Sequence, residues 1–244
     1  MAAAIRRSAF DSDMLGLQVG KAAVEGLDRP TAEALAAELA GTELDVVFIR
    51  DTKFAFERAA ELPWGALDLA DVKVSLSRDT HPTRPGSDSS FAVSTDVALD
   101  DARALLPLTR SIARLSRFHR CFGEAAAFRV YDAWLRNALA REAADWCVVA
   151  RAPHRSDPAG FIAVKRDGIS ADLPLVATAD EYRGRGVLRL MMAAVLTRLE
   201  AEGVKRCTVS TQLSNAPAVR AYQALGFGFE GTLVDLHMRR IPSR

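Results

Sequence analysis

A short glycine-containing turn between an apolar run and a long Ala/Leu/Met-rich segment constrains this fold most strongly. The apolar run covers residues 175–178, Gly184 and Gly186 interrupt it, and a helix-like segment follows. A second helix-like segment, which starts after Asn215, completes the pattern. Residues 175–227 therefore predict a strand, a loop and a helix, followed by a second helix.

The turn has the properties of an anion-binding site. Gly184 and Gly186 can adopt positive φ and allow a ligand to approach the main chain. The following helix contributes the positive end of its dipole, and Arg183 and Arg185 add full charges. A phosphate-bearing ligand is the predicted occupant, and a tight turn with two solvated arginines is the alternative. Arg189 stands where a dinucleotide fingerprint needs a third glycine, and the Gly-Lys-Ser/Thr end of a P-loop is missing.

Residues 183–188, RGRGVL, resemble the acetyl-CoA loop Arg/Gln-x-x-Gly-x-Gly/Ala of the GCN5-related N-acetyltransferase (GNAT) family. The match ends at Leu188, which either crowds the cofactor pyrophosphate or only shifts helix packing. A second family signature, Asn-x-x-Ala-x-x-x-Tyr, is met downstream by Asn215, Ala218 and Tyr222. The resemblance covers the C-terminal half to two thirds of the chain and implies the GNAT fold, an α/β (α+β) fold with a mixed sheet.

The resemblance also implies a reaction, in which an acetyl group moves from acetyl-CoA, a co-substrate, to a primary amine without a metal ion. In the family, main-chain groups before the loop pair with the pantetheine arm as an added strand. The cofactor-binding residues implied here are Val176, Ala177, Thr178, Arg183, Gly184, Arg185, Gly186, Val187, Leu188 and Asn215.

Tyr222 is the predicted general acid. A thiolate leaving group with a pKa of about 8.5 needs only a modest acid, and a tyrosine with a pKa of about 10 is protonated at neutral pH. The alternative for Tyr222 is an ordinary core aromatic. Asp180 and Glu181, which we place next to the strand bulge, are candidates for accepting the amine proton through water. The favoured alternative is that both are ordinary surface carboxylates beside the two arginines of the turn.

Composition limits the classes of function. The 244 residues are 49% hydrophobic, which is enough for one large core or two small ones. The net charge of +1 does not favour nucleic acid, which requires a concentrated basic face. Three isolated cysteines suggest neither a disulfide framework nor a metal site, and they fit a reducing cytoplasm. The N-terminus resembles no signal peptide, and no apolar run approaches the roughly 18 residues of a membrane span.

The order of predicted elements indicates two domains, a small N-terminal α/β domain at residues 1–95 and the acetyltransferase domain at residues 96–244. The first is predicted to be β-α-β-α-β, and a Pro/Gly/Ser-rich linker follows it. The predicted strands are 15–24, 44–49, 66–76, 146–150 and 160–165, the helices are 31–40, 52–61, 100–118 and 124–140, and the linker is 77–96.

The N-terminal residues resemble a narrower branch of the family, which acts on nucleotide sugars such as dTDP-4-amino-4,6-dideoxygalactose. This resemblance rests on Phe10-Asp11-Ser12, Gly16, Val19-Gly20 and Ser116-Arg117-Phe118. It implies that the acceptor is the 4-amino group of a nucleotide-linked 4-amino-4,6-dideoxyhexose.

Arg117, His119 and Arg120 are candidates for meeting the substrate pyrophosphate, and a solvated basic helix C-terminus explains them equally well. The remaining alternatives are an amino-acid or aminoglycoside acceptor and a non-catalytic acyl-CoA-binding sensor. Assembly is left open, with a homodimer as one option.

Overall fold

The computed structural model describes residues 5–53, 65–81, 90–95, 97–152 and 157–240. Within these ranges, ten strands form one mixed sheet in the order β1-β2-β3-β10-β4-β9-β8-β7-β6-β5. The strands are β1 Arg6–Arg7, β2 Val19–Val24, β3 Val46–Asp51, β4 Gly65–Asp79, β5 Ala92–Ser94, β6 Trp146–Arg151, β7 Pro158–Asp167, β8 Ser170–Thr178, β9 Arg206–Gln212 and β10 Gly228–Arg240. The helices are α1 Ala9–Leu15, α2 Arg29–Ala40, α3 Ala102–Ala113, α4 Arg117–Phe122, α5 Glu124–Leu139, α6 Val187–Ala201 and α7 Ala216–Ala224.

The predicted fold class, a mixed α/β sheet with helices, is confirmed. Two neighbouring strand pairs, β2 with β3 and β8 with β9, are parallel, and the other pairs in the described sheet are antiparallel. The C-terminal strand β10 lies between β3 and β4, so strands from residues 1–95 and from residues 96–244 share one sheet. The division into two domains at residue 95 stays a prediction.

The predicted strand at residues 15–24 is wrong in its first half, because α1 precedes it. Ser8 Oγ donates to the Asp11 carboxylate beside the start of this helix, and Gly16 ends it with φ 68°. The helix predicted at residues 31–40 begins earlier, because Asp28 and not Thr31 caps it; Asp28 Oδ1 accepts from Thr31 N at 3.0 Å. The predicted helix 52–61 lies mostly outside the described residues, as does the middle of the predicted linker 77–96.

The single helix predicted at residues 100–118 is two helices, α3 and α4, separated by a short turn. Ser116 caps α4, since its Oγ accepts from His119 N at 3.4 Å. Arg117 therefore lies at the start of a helix, and the interpretation of Arg117 as part of a solvated helix C-terminus is wrong. Arg117 is 8% exposed, so its guanidinium lies inside the protein.

Apolar side chains fill both faces of the sheet. Along β3, Val46 and Phe48 face the large cluster that contains α3, α5 and α6, whereas Val47 and Ile49 face a smaller cluster that contains α2. This alternation has the two-residue period of a strand. The described helices include none that is both long and apolar enough to cross a membrane.

His237 on β10 is fully buried and stacks on Phe48 with 4.3 Å between ring centroids. Neither ring nitrogen has a hydrogen-bond partner within the described residues. Burial, together with the charges of Arg117 and Arg239, lowers the pKa of His237 to about 3. The imidazole is therefore neutral and acts as an aromatic core residue at neutral pH.

We predict that His237 makes the protein sensitive to acid. Below pH 6.5 the unfolded chain binds a proton on this histidine that the folded protein takes up only near pH 3. The unfolded state binds more protons in this window, so the free energy of unfolding falls by about 1.4 kcal/mol per pH unit of acidification. Urea denaturation at pH 7 and pH 5 should show that wild type loses about 2 kcal/mol more than a His237→Phe variant. An equal loss in both proteins would contradict this prediction.

Candidate active site

The central feature of the site is a gap between two parallel strands. Strands β8 and β9 pair at three positions, of which the last is Asp172 with Thr208. Beyond it, β8 continues to Thr178 and β9 to Gln212 without further pairing between them in the described structure. A cavity of about 330 Å³ lies there and is lined by residues of both strands. An extended ligand can therefore enter between the strands.

A β-bulge explains why the strands separate. On the other edge of β8, Ala163 pairs with Leu175 and Lys165 pairs with Asp172, so Leu173 and Pro174 oppose one residue of β7. A bulge bends its strand, and proline has no N–H with which to continue a ladder. The bulge coincides with the end of pairing to β9, so the backbone beyond it is left open to a ligand on that side.

The predicted pantetheine-binding residues lie in this open stretch. Ala177 and Thr178 pair with β7 on one side, and Val176 lines the cavity. Asp180 and Glu181, in contrast, follow the strand in a short 3-10 turn, so their predicted position next to the bulge is wrong. Asp180 pairs with Arg183 at 2.7 Å, and both side chains are exposed, which fits surface carboxylates.

The glycine turn adopts the predicted conformation. Gly184 has φ 74° and Gly186 has φ 81°, and α6 begins immediately after Gly186. The first N–H groups of this 15-residue helix have no partner within the helix and carry the positive end of its dipole. Arg183 and Arg185 are exposed beside them, with the Arg185 guanidinium 5.8 Å from the Tyr182 ring. These groups suit a phosphate at the mouth of the gap.

The residues after the turn face inward. Val187 is 1% exposed, and Leu188 is half-buried and packs against the main core. The packing of Leu188 favours the interpretation that it shifts helix packing and not that it crowds a ligand.

Asn215 and Tyr222 come together on the other side of the cavity. Asn215 caps α7, since its Oδ1 accepts from Ala218 N at 3.4 Å, and its Nδ2 donates to Thr211 Oγ1 at 3.3 Å. Asn215, Ala218 and Tyr222 all line the cavity. The predicted helical face is therefore confirmed, whereas the roles of its residues stay predictions.

Tyr222 is 5% exposed and packs edge-to-face on Phe227 with 5.8 Å between ring centroids. Burial, and secondarily Cys207, raises the pKa of Tyr222 above its ordinary value. The hydroxyl thus remains protonated at neutral pH, as a proton donor must. Tyr131 on α5 lines the same cavity, and burial raises its pKa to about 12, so it is a second buried phenol that the sequence did not reveal.

The three predicted substrate-side residues do not all reach the cavity. Arg117 lines it, whereas His119 and Arg120 are not among its lining residues. Arg120 instead donates to Ala70 O and pairs with Asp71 at 3.3 Å. This leaves Arg117 as the member of the group that a ligand in the cavity can contact.

Sequence reasoning missed four charged side chains that line the cavity, namely Arg50, Asp71, Lys73 and Asp172. Asp71 and Lys73 alternate with apolar residues on β4, and this two-residue period is a signal that could have found them. Desolvation raises the pKa of Asp172, and Thr208 Oγ1 donates to this carboxylate at 2.9 Å. No cluster of three potential His, Cys, Asp or Glu metal ligands occurs among the described residues.

The comparison with known families agrees with this geometry. Residues 112–227 match the model of the Acetyltransferase (GNAT) family. This part of the chain, just under half of it, is similar to the GNAT family. It contains the bulged strand, the glycine turn and Tyr222.

Individual relatives match different shares of the protein. The chain is 37% identical over 82 residues to a mycothiol acetyltransferase of Brachybacterium faecium, covering 32% of this chain and 25% of the relative. It is 27% identical over 144 residues to the spore coat polysaccharide biosynthesis protein SpsD of Bacillus subtilis, covering 57% of this chain and 47% of the relative. The matches thus span a quarter and about half of these relatives' lengths. A GCN5-related N-acetyltransferase of Sphaerobacter thermophilus has the same fold, with a TM-score of 0.64 at 13% identity over 99% of this chain and 77% of the other.

We predict that Gly186→Val weakens acetyl-CoA binding much more than it weakens the fold. A branched residue at φ 81° is strained, and its side chain occupies the space beside the first N–H groups of α6. Gly203→Val is the matched control, because Gly203 has φ 78°, lies just beyond the other end of α6 and also has no atom within 4 Å of an added Cβ.

Both variants should lower the melting temperature by similar amounts, whereas calorimetric titration should show lost acetyl-CoA affinity only for Gly186→Val. Unchanged affinity in that variant would remove the turn from the cofactor site.

Proposed function

We propose that this protein is an N-acetyltransferase that moves an acetyl group from acetyl-CoA to a primary amine by direct attack. The observation that carries the proposal is the gap opened by the bulge in β8, with a positive-φ glycine turn at one end and a buried tyrosine on the facing helix. The open main chain at Val176, Ala177 and Thr178 fits an extended arm, which would bind as an added strand. The N–H groups after Gly186 fit the pyrophosphate of acetyl-CoA.

The chain's own residues account for the proton that the leaving group needs. In the proposed reaction the amine nitrogen bonds to the thioester carbonyl carbon, the carbon–sulfur bond breaks, and the sulfur leaves with the bonding pair. Tyr222 would donate its phenolic proton to this sulfur as the bond breaks. Because burial raises its pKa, Tyr222 would regain a proton readily after each turnover.

Asp172 is the best-placed acceptor for the amine proton. It lines the cavity at the last paired position of β8, immediately before the bulge. Its raised pKa makes it a stronger base than an ordinary aspartate. We therefore assign to Asp172 the role that sequence reasoning had offered to Asp180 and Glu181.

For the acceptor, we propose the 4-amino group of a nucleotide-linked 4-amino-4,6-dideoxyhexose. Similarity to the polysaccharide biosynthesis protein SpsD supports a sugar, and the basic side chains in the cavity suit its phosphates. Similarity to mycothiol acetyltransferases keeps another small amine as the second candidate. A non-catalytic acyl-CoA sensor is less favoured, because it has no need of a phenol and a carboxylate beside the gap. Cytoplasmic location and homodimer formation stay predictions.

We predict that Tyr222→Phe slows chemistry and leaves acetyl-CoA affinity nearly unchanged. The ring stays packed on Phe227, but the proton donor is lost, which typically costs about 10²–10⁴-fold in rate. Single-turnover acetyl transfer should show this loss, because slow product release cannot hide it.

Tyr131→Phe is the matched control for that variant, since Tyr131 is a buried phenol in the same cavity. It should keep most of the single-turnover rate and lose mainly stability. If Tyr222→Phe transfers acetyl at the wild-type rate, Tyr222 is a packing residue and the thiolate leaves unassisted or is protonated by water.

We predict that Asp172→Asn removes an acidic limb from the pH profile of kcat/KM. The carboxylate must be ionised to accept a proton, so wild-type activity should fall as the pH drops through a midpoint above the ordinary 3.8. The variant should be slower by about 10²–10⁴-fold. Its kcat/KM should then depend on pH only through deprotonation of the amine substrate. An identical profile in both proteins would exclude Asp172 as the base.

A further inference from the structure

Three neighbouring strands place charged residues side by side at one end of the cavity. In the register of the sheet, Asp235 on β10 is paired with Arg50 on β3 and with Asp71 on β4. Lys73 lies two residues beyond Asp71, so it projects from the same face of β4. A charged row therefore crosses the centre of the sheet.

Asp235 is the hub of this row. Its carboxylate accepts from Arg50 Nε at 3.0 Å, lies 3.3 Å from Lys73 Nζ and also pairs with the Arg117 guanidinium. Although burial alone would raise it, the charges of Arg117, Lys73 and Arg50 lower the pKa of Asp235 to about 2. Asp235 is therefore ionised, and the group of four side chains carries a formal charge of +2.

The three cations, and not their shared carboxylate, are the groups that line the cavity. The Asp235 side chain is 5% exposed, whereas those of Lys73 and Arg50 are 26% and 46% exposed. The cavity wall also contains two carboxylates, Asp71 and Asp172. Asp71 is paired with Arg120, and both carboxylates interact electrostatically with Lys73. With Arg120 and these two carboxylates included, four cations face three carboxylates, so one positive charge remains in excess.

Arg117 provides an independent sign of a missing partner. It is 8% exposed, and its Nε has no hydrogen-bond partner among the described residues. The guanidinium lies over the rings of Phe48 and Phe118 at 5.2 and 4.8 Å, so aromatic faces surround it. A buried guanidinium nitrogen without an acceptor is costly, and three cations around one carboxylate exceed what that carboxylate needs.

We propose that Arg50, Lys73 and Arg117 form an anion subsite that binds the diphosphate of the acceptor and thereby sets the position of its amine. The subsite deepens the proposed function, on which it rests for the identity of the acceptor. The two guanidinium groups can each donate two parallel hydrogen bonds to phosphate oxygens, and the ammonium group adds a compact positive charge. The ion pairs with Asp235 hold the three side chains in position. Arg50, Lys73 and Asp235 lie outside residues 112–227, so the family match does not include them.

The test is calorimetric titration of inorganic pyrophosphate into the 244-residue protein saturated with CoA, which blocks the anion site at the glycine turn. The test variants are Lys73→Met, which nearly keeps the side-chain volume, and Arg50→Gln, which shortens the side chain but keeps a hydrogen-bond donor. Each leaves Asp235 with two cations. Lys165→Met is the matched control, because Lys165 pairs with Asp145 at 3.3 Å and does not line the cavity. Malonate is titrated in parallel to distinguish a carboxylate site from a phosphate site.

We expect pyrophosphate to bind to wild type and to Lys165→Met with equal affinity, and at least about tenfold more weakly to both test variants. Equal binding by all four proteins, or no binding to wild type, would overturn the subsite. Malonate binding in place of pyrophosphate would overturn the phosphate assignment. Thiol release from acetyl-CoA with a panel of amines is measured separately, so anion binding without turnover would contradict the proposed function and leave the subsite standing.

Discussion

The separation of β8 from β9 is the constraint on which the rest of the site depends. Two parallel strands in a sheet normally satisfy each other's main-chain groups along their full length, and a strand edge left open inside a protein is costly. Here the bulge at Leu173 and Pro174 turns β8 away after three residue pairs. Past the open edge, the chain turns at Gly184 and Gly186 into the N-terminus of α6, while the cap of α7 and Tyr222 line the cavity.

The other half of the cavity depends on sheet register. Arg50, Asp235 and Asp71 meet because three strands from distant parts of the sequence pair in one register. A shift of one residue in β10 would move Asp235 and His237 to the opposite face and leave Arg50 and Lys73 without their carboxylate. The stack of His237 on Phe48 lies one pleat away, where the same register supplies an apolar contact. Packing and charge therefore select the same pairing.

The cofactor side of the site was predictable from the sequence, because its determinants are local. Gly184 and Gly186 specify the turn, and Asn215 specifies the start of α7, within a few residues of where each acts. The bulge was not placed correctly, since it depends on how β7 pairs with β8, and Asp180 was consequently assigned to it. Likewise, the break between α3 and α4 depends on a Ser116 cap inside an otherwise helical pattern, and missing it placed Arg117 at the wrong end of a helix.

The same distinction between local and long-range determinants explains why the acetyl donor is easier to infer than the amine acceptor. The elements proposed to hold acetyl-CoA lie within the stretch that matches the GNAT family, and their chemistry suits any acceptor. Most charges at the opposite end of the cavity come from β3, β4 and β10, outside that stretch, and they meet only when the sheet is complete. A protein with the same glycine turn and the same tyrosine could thus accept a different amine through changes on these three strands alone. Acceptor specificity should therefore follow the residues at positions 50, 73 and 235, whereas the reaction itself should follow residues 172–222.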